Sequence, residues 1–147
     1  MTTLGDDGVV ITETNRLMIP GSTELADDPI KPEDVVSGTP RARSLTWAVS
    51  ADETTTHWLW DCSAGAFRWW FGFDETVSII EGSVRVEVDG EEPIVLGVGD
   101  AAYFPAGRWS TWTVDDYVRK HAVLRIPVPR SMSFVSKVLG QRKYARR

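Results

Sequence analysis

One cysteine and two histidines are the only thiol and imidazole groups in 147 residues. Cys62 alone cannot close an intrachain disulfide, and the paired cysteines of a structural zinc site are absent. Such a chain suits a reducing compartment, so a cytoplasmic location is expected. Bases are the minority charge, 16 Lys and Arg against 21 Asp and Glu, for a formal net charge of -5 at pH 7. This balance argues against general attraction to nucleic acid or to anionic membranes, and neither is expected as a partner. No run is long and apolar enough to span a bilayer. The opening "MTTLGDDGVVITE" carries early acids where a signal peptide needs a basic segment and an apolar core, so no leader is expected.

What is present is a hydrophobic content of 42%, enough for one sizeable core and hence one domain. Charge is uneven. Residues 1–53 hold ten acids and four bases, whereas 130–147 hold six bases and no acid, a pattern that reads first as a solvated basic tail. Residues 1–28 mix Gly, Thr and acids without a sustained period and are expected to form a flexible, irregular arm. From 29 to 129 short β-branched and aromatic runs are punctuated by Gly, Asp and Pro. Nine strands are expected: 42–50, 54–63, 66–73, 75–82, 83–90, 92–97, 100–106, 110–114 and 117–126. Strands at this density indicate an all-β sandwich or barrel. After Pro127 and Pro129 the period becomes helical. Phe134, Val135, Val138 and Leu139 share a face, Ser131 or Ser133 is a candidate cap and Gly140 a candidate stop, so a short C-terminal α-helix is expected within 130–147.

Two segments carry a motif. In "WWFGFDETVSIIEGS", Glu75 stands seven positions before Gly82, and "GDAAYFPAGRWS" supplies Gly99, Pro105 and Gly107. Together, in order and separated by one hairpin, they resemble the two motifs of the cupin superfamily, which implies a single small β-barrel of jelly-roll type. The longer stretch 38–129 is similar to the ureidoglycine-aminohydrolase-type cupins, a branch mostly of unassigned activity, so the resemblance implies the fold more firmly than the reaction. In the family pattern two imidazoles precede the glutamate and a third follows the second motif. Here those positions fall on Trp69, Phe71 and Ser110, and only the carboxylate remains. Indole and phenyl rings donate nothing to a divalent transition metal, which wants several nitrogen, sulfur or carboxylate ligands. His57 and His121 lie outside the motif positions. No metal and no other cofactor is therefore expected.

Strand parity gives an expected lumen. Glu75 brings Val77 and Ile79 inward; Phe67, Trp69 and Phe71 share that face on the preceding strand, and Ser110 brings Trp112. Trp58 and Trp60 are added as ligand-binding candidates. In "YVRKHAVLRI" the apolar set Val118, Ala122, Leu124 and Ile126 places Lys120 inward. These aromatics can simply fill a small barrel, or they can hold a flat or apolar small molecule. A carboxylate among Trp and Phe is costly to bury ionised, so Glu75 must be paired, hydrated or protonated, which makes it the candidate acid or base. A salt bridge to Lys120 would instead make the two a structural pair. Lys120 can equally snorkel to solvent, and Tyr103, the third catalytic candidate, can equally be a rim residue. Cys62 has no base or positive neighbour in the sequence and reads as a small buried residue. Arg68 and Trp70 project opposite to Trp69, where a second subunit could cover them; a C2 homodimer is expected from the resemblance and from the commonness of that symmetry.

The leading functional expectation is a metal-independent barrel binding a small organic molecule, with acid–base chemistry of isomerase, lyase or cyclase type through Glu75 if it is an enzyme. The alternatives are a non-catalytic sensor or accessory module, and a metal-dependent aminohydrolase-like or dioxygenase-like cupin.

Overall fold

Residues 2–4, 10–12 and 15–132 are described by the computed structural model. Ten strands follow in order: β1 (Thr2–Leu4), β2 (Val10–Thr12), β3 (Ala26–Asp27), β4 (Val35–Gly38), β5 (Ala42–Val49), β6 (Thr55–Phe71), β7 (Asp74–Val88), β8 (Ile94–Gly97), β9 (Ala101–Phe104) and β10 (Arg108–Arg125). One 3-10 turn, Pro32–Asp34, precedes β4. The strands join in one sheet ordered β1-β2-β5-β6-β10-β7-β8, with β3 on β5, β4 on β6 and β9 on β7. All pairings are antiparallel except β2 with β5. The curled sheet is the jelly-roll barrel the sequence motifs imply.

Six of the nine expected strands merge into three. β6 takes in most of 54–63 and 66–73, β7 most of 75–82 and 83–90, and β10 most of 110–114 and 117–126. The apparent turn signals between them are bends at which pairing continues. β6 bends at Gly65, β10 carries a register shift between Val114 and Tyr117, and β7 bends at Gly82. Gly82 has φ +69°, and a Cβ there would lie 1.9 Å from the Tyr117 carbonyl oxygen, so the crossing of β7 and β10 admits only glycine.

Alternation then sorts the side chains. On β7, Glu75, Val77, Ile79, Val84 and Val86 are buried while Thr76, Ser78, Arg85 and Glu87 are exposed. The inner face gathers Phe67, Phe71, Val77, Val86, Phe104 and Trp112 into one core. Phe71 stacks on Phe104 with centroids 4.7 Å apart, and Phe67 on Trp112 at 6.3 Å.

A second, smaller cluster lies on the outer face, where Ile19 and Leu25 cover Leu59 with Leu45, Trp47 and Ile80. This part of the irregular segment 15–28 is held by Arg119, which donates from Nε to the Gly21 carbonyl at 2.7 Å and from Nη2 to that of Thr23. Asp61, 1% exposed, accepts from Arg43, Arg119 and Tyr117. Burial alone would raise its pKa; the hydrogen bonds from Arg43 and Tyr117 and the charges of Arg43 and Arg119 outweigh that and hold the carboxyl below its usual range. His57 and His121 face this side, their rings 5.4 and 6.5 Å from Trp47. Burial, with the charge of Arg119, lowers the His121 pKa. Residues 130–132 are helical; the rest of the expected C-terminal helix lies outside the described residues.

Candidate functional site

A cavity of about 560 Å³ opens on the inner side of the barrel. Its buried end is built by Glu75 on β7, Lys120 on β10, Trp60 and Phe67 on β6, and Trp112 on β10. Ladder register explains how Glu75 and Lys120 meet. Glu75 pairs with Leu124, Val77 with Ala122 and Ile79 with Lys120, so the two charged residues share a face with Val77 and Ala122 between them. The short Ala122 leaves room for the Lys120 stem, and Nζ donates to Glu75 Oε1 at 2.7 Å. Both side chains are almost fully buried, 6% and 5% exposed.

The ammonium also lies over two indoles, 4.2 Å from the Trp112 ring and 4.7 Å from that of Trp60. Carboxylate and π faces together offset part of the cost of burying an ammonium inside an apolar barrel. A carboxylate offers about four acceptor positions and an ammonium three donors, so one hydrogen bond between them leaves both able to engage a ligand.

Walls and mouth add Trp58, Trp69, Ala122 and Leu124, then the more exposed Trp70, Phe73 and Ile126. Thr54 and Thr56 line the same side, Thr56 accepting the Trp58 indole N–H at 2.8 Å. Two carboxylates, Asp28 and Glu53, complete the lining. Glu53 stands on the β5–β6 turn with φ 58°, in the left-handed region. Its neighbour Asp52 accepts from the Ser50 and Thr54 hydroxyls and the Thr54 amide, bonds that lower its carboxyl to about 2 and pin the turn.

Of the expected site residues, Glu75, Lys120, Trp58, Trp60, Phe67, Trp69 and Trp112 are brought together around the cavity. The others are not. Tyr103 is 60% exposed on β9, opposite Thr76, whose side chain is on the solvent face of β7. Val77, Ile79 and Phe71 are inward but covered by neighbouring side chains, in the core rather than at the void. Ser110 is fully buried, its hydroxyl donating to the Trp69 carbonyl at 3.0 Å and accepting from Trp112 Nε1 at 3.1 Å. Cys62 is also buried; burial, then the charge of Asp61, pushes its thiol up to about 12 against an opposing effect of Lys120, which leaves it unreactive at neutral pH.

Sequence reading missed Asp28, Glu53, Thr54 and Thr56. Asp28, Glu53 and Thr54 sit on a loop and at a turn, where no alternation indicates direction; Thr56 lies on β6 two residues before Trp58, and alternation back from Trp58 could have found it.

The donor set does not fit the metal that the fold implies. At the positions of the family's imidazoles stand Trp69, Phe71 and Ser110, and the Ser110 hydroxyl is engaged with the backbone and Trp112. Among the described residues no three of His, Cys, Asp and Glu converge into a cation site.

Solved structures share this architecture. A protein of unknown function of the DUF861 family from Pseudomonas syringae pv. tomato superposes with a TM-score of 0.66 at 22% identity, covering 72% of this chain; this chain spans 46% of that one. A putative ethanolamine utilization protein Q from Salmonella typhimurium gives 0.60 at 16% identity, covering 86% and 93% of the two chains. KdgF from Halomonas sp. gives 0.54 at 12%, covering 75% and 94%. At these identities the likeness is one of fold. No curated protein matches the chain. The EutQ-like cupin domain model matches residues 49–122, half of the chain and the part that carries Glu75, Lys120 and the cavity aromatics, so the protein belongs to that family of the cupin superfamily.

Proposed function

We propose that this protein is a metal-independent cupin that binds a small organic molecule in its aromatic cavity, with Glu75 as the acid or base if the ligand is turned over. The observation that carries the reading is a charged pair, Glu75 with Lys120, at the buried end of an otherwise aromatic cavity of about 560 Å³. That volume falls within the usual range for small-molecule sites, and a few polar groups in an apolar surround are what fix a ligand's orientation. In a proton-transfer reaction Lys120 would donate one of its remaining N–H bonds to a substrate oxygen while Glu75 takes or delivers the proton, the pattern expected for isomerase, lyase or cyclase chemistry.

Thermal unfolding across a panel of small organic compounds tests the binding half. A saturable rise in Tm of several degrees supports it, because a ligand that binds only the folded state must stabilise it. No response from any compound sinks it. Where a compound is turned over, Glu75→Gln should abolish turnover while keeping an acceptor for Lys120; unchanged turnover removes Glu75 from the mechanism.

A non-catalytic sensor or accessory module is the second reading, favoured by how completely Lys120 is held between Glu75, Trp60 and Trp112. It shares the ligand and lacks the turnover. The finer placement in the ureidoglycine-aminohydrolase-type branch rests on the sequence resemblance over 38–129 and is proposed for ancestry, not for the reaction. The proposal includes a homodimer in the cytoplasm, without nucleic-acid or membrane partners. In support, Trp70 at the cavity mouth and Trp109, 46% and 40% exposed, lie together at 5.5 Å with Arg68 above Trp109, and no helix among the described residues is long and apolar enough to cross a membrane.

A further inference from the structure

We infer that the cavity selects by charge, taking flat organic cations ahead of neutral analogues and excluding organic anions. This deepens the proposed function and rests on the cavity being a ligand site. Four ionisable side chains line it: Asp28, Glu53, Glu75 and Lys120. Among the described residues no arginine or histidine joins them.

The one cation is already committed. Lys120 Nζ is 2.7 Å from Glu75 Oε1 and 4.2 and 4.7 Å from the Trp112 and Trp60 rings. Its charge is balanced by Glu75, so the formal charge left over in the lining is that of Asp28 and Glu53, both negative. An incoming carboxylate or phosphate would have to lose its water beside these two groups, and the N–H bonds that Lys120 has left belong to an ammonium whose charge Glu75 already balances, which is a selection against anions.

An incoming ammonium or amidinium meets the opposite situation. The indoles of Trp58 and Trp69 line the cavity away from the lysine, and a cation is drawn to the π face of an indole. The protein's own Lys120 already displays the arrangement, an ammonium between indoles with a carboxylate at hydrogen-bond distance. A ligand that repeats it nearer the mouth would pair an apolar aromatic body with a cationic end close to Asp28 or Glu53.

The test is a matched series sharing one body and one linker: tryptamine, tryptophol and indole-3-propionate, which differ in carrying a cation, a hydroxyl or an anion. Calorimetric titration at low salt should rank them in that order, with tryptamine bound about tenfold or more tighter than the anion. That gap should narrow as salt is raised. In the Asp28→Asn/Glu53→Gln double variant the affinity for tryptamine should fall to that for tryptophol. If tryptophol binds and tryptamine shows no advantage over indole-3-propionate, the charge selection is overturned and the aromatic ligand site stands. If the double variant keeps the full preference, these two carboxylates are not its source and the inference is overturned. If none of the three binds at millimolar concentration, both this inference and the ligand-site reading fall.

Discussion

At the scale of single residues, Glu75 and Lys120 decide the character of the barrel. Each is buried, and each is satisfied by the other. Removing one partner strands a charge among indoles, whereas removing both leaves an apolar cavity end that the surround tolerates. Lys120→Met should therefore destabilise the protein by about 3 kcal/mol, the lower part of the range for a broken buried pair because the cavity admits water to the stranded carboxylate. Adding Glu75→Met to that variant should restore much of the loss, because both charges are then replaced by apolar groups. Urea unfolding of the two singles and the double gives the coupling directly, and additive losses would mean that the two side chains do not depend on each other. Strand parity made this pair legible in the sequence, since alternation from Glu75 and from Val118 turns both residues inward. It did not distinguish inward from cavity-lining: Val77, Ile79 and Ser110 obey the same alternation and end beneath other side chains.

Asp61 supplies a prediction of the opposite kind, in pH. Its folded-state pKa is depressed, so the folded protein binds fewer protons there than the unfolded chain. The stability it contributes is complete above the unfolded aspartate value, about 4, and is lost as pH falls through the lower folded value. The gap in unfolding free energy between the wild-type protein and Asp61→Asn should accordingly be constant at neutral pH and close on acidification below about pH 4. A gap that does not change with pH would show that the charge on Asp61 contributes nothing.

At the scale of elements, the barrel is made by three long strands that turn corners. The bend of β7 depends on Gly82, where a methyl group would run into the Tyr117 carbonyl and a positive φ would strain it further. Gly99 has a comparable φ of +90° with nothing within 4 Å of a would-be Cβ, so it isolates the backbone contribution. Gly99→Ala should cost about 1 kcal/mol and melt a few degrees lower. Gly82→Ala should cost clearly more and fold poorly, because relief requires β7 and β10 to separate. Similar melting of the two variants would mean that the corner is softer than the contact distance implies. This geometry also explains what the sequence left illegible. Gly, Asp and Ser at 61–65, 81–83 and 115–116 look like chain reversals, and local pattern cannot tell a reversal from a bend through which the ladder continues. From β5 onward strand existence and inward faces were legible and strand length was not, whereas the short strands β1 to β4 had no counterpart among the expected ones.

At the scale of the whole molecule, the sheet works on two sides. The inner side holds the cavity, and the outer side is covered by residues 15–25 through Ile19, Leu25 and the grip of Arg119 on Gly21 and Thr23. The arm expected to be flexible has a packed portion because an outer β-face carrying Leu45, Leu59 and Ile80 would otherwise meet water. The molecule as a whole also lacks a convergent donor set among the described residues. Elemental analysis of untagged protein should find Mn, Fe, Ni and Zn below stoichiometry, and dialysis against EDTA should leave Tm unchanged. A stoichiometric metal, or a large fall in Tm on chelation, would overturn the metal-independent reading.

The Asp61 cluster has a last consequence, for inheritance. Arg43, Asp61, Tyr117 and Arg119 come from three different strands, yet they meet at one buried carboxylate, and Arg119 also fastens the segment at 21–23. A lineage that exchanged Asp61 for a neutral residue would strand a guanidinium that is nearly as buried as the acid. Descendants should keep these positions together or replace them together, so that four sites scattered over 77 positions of chain drift as a single character.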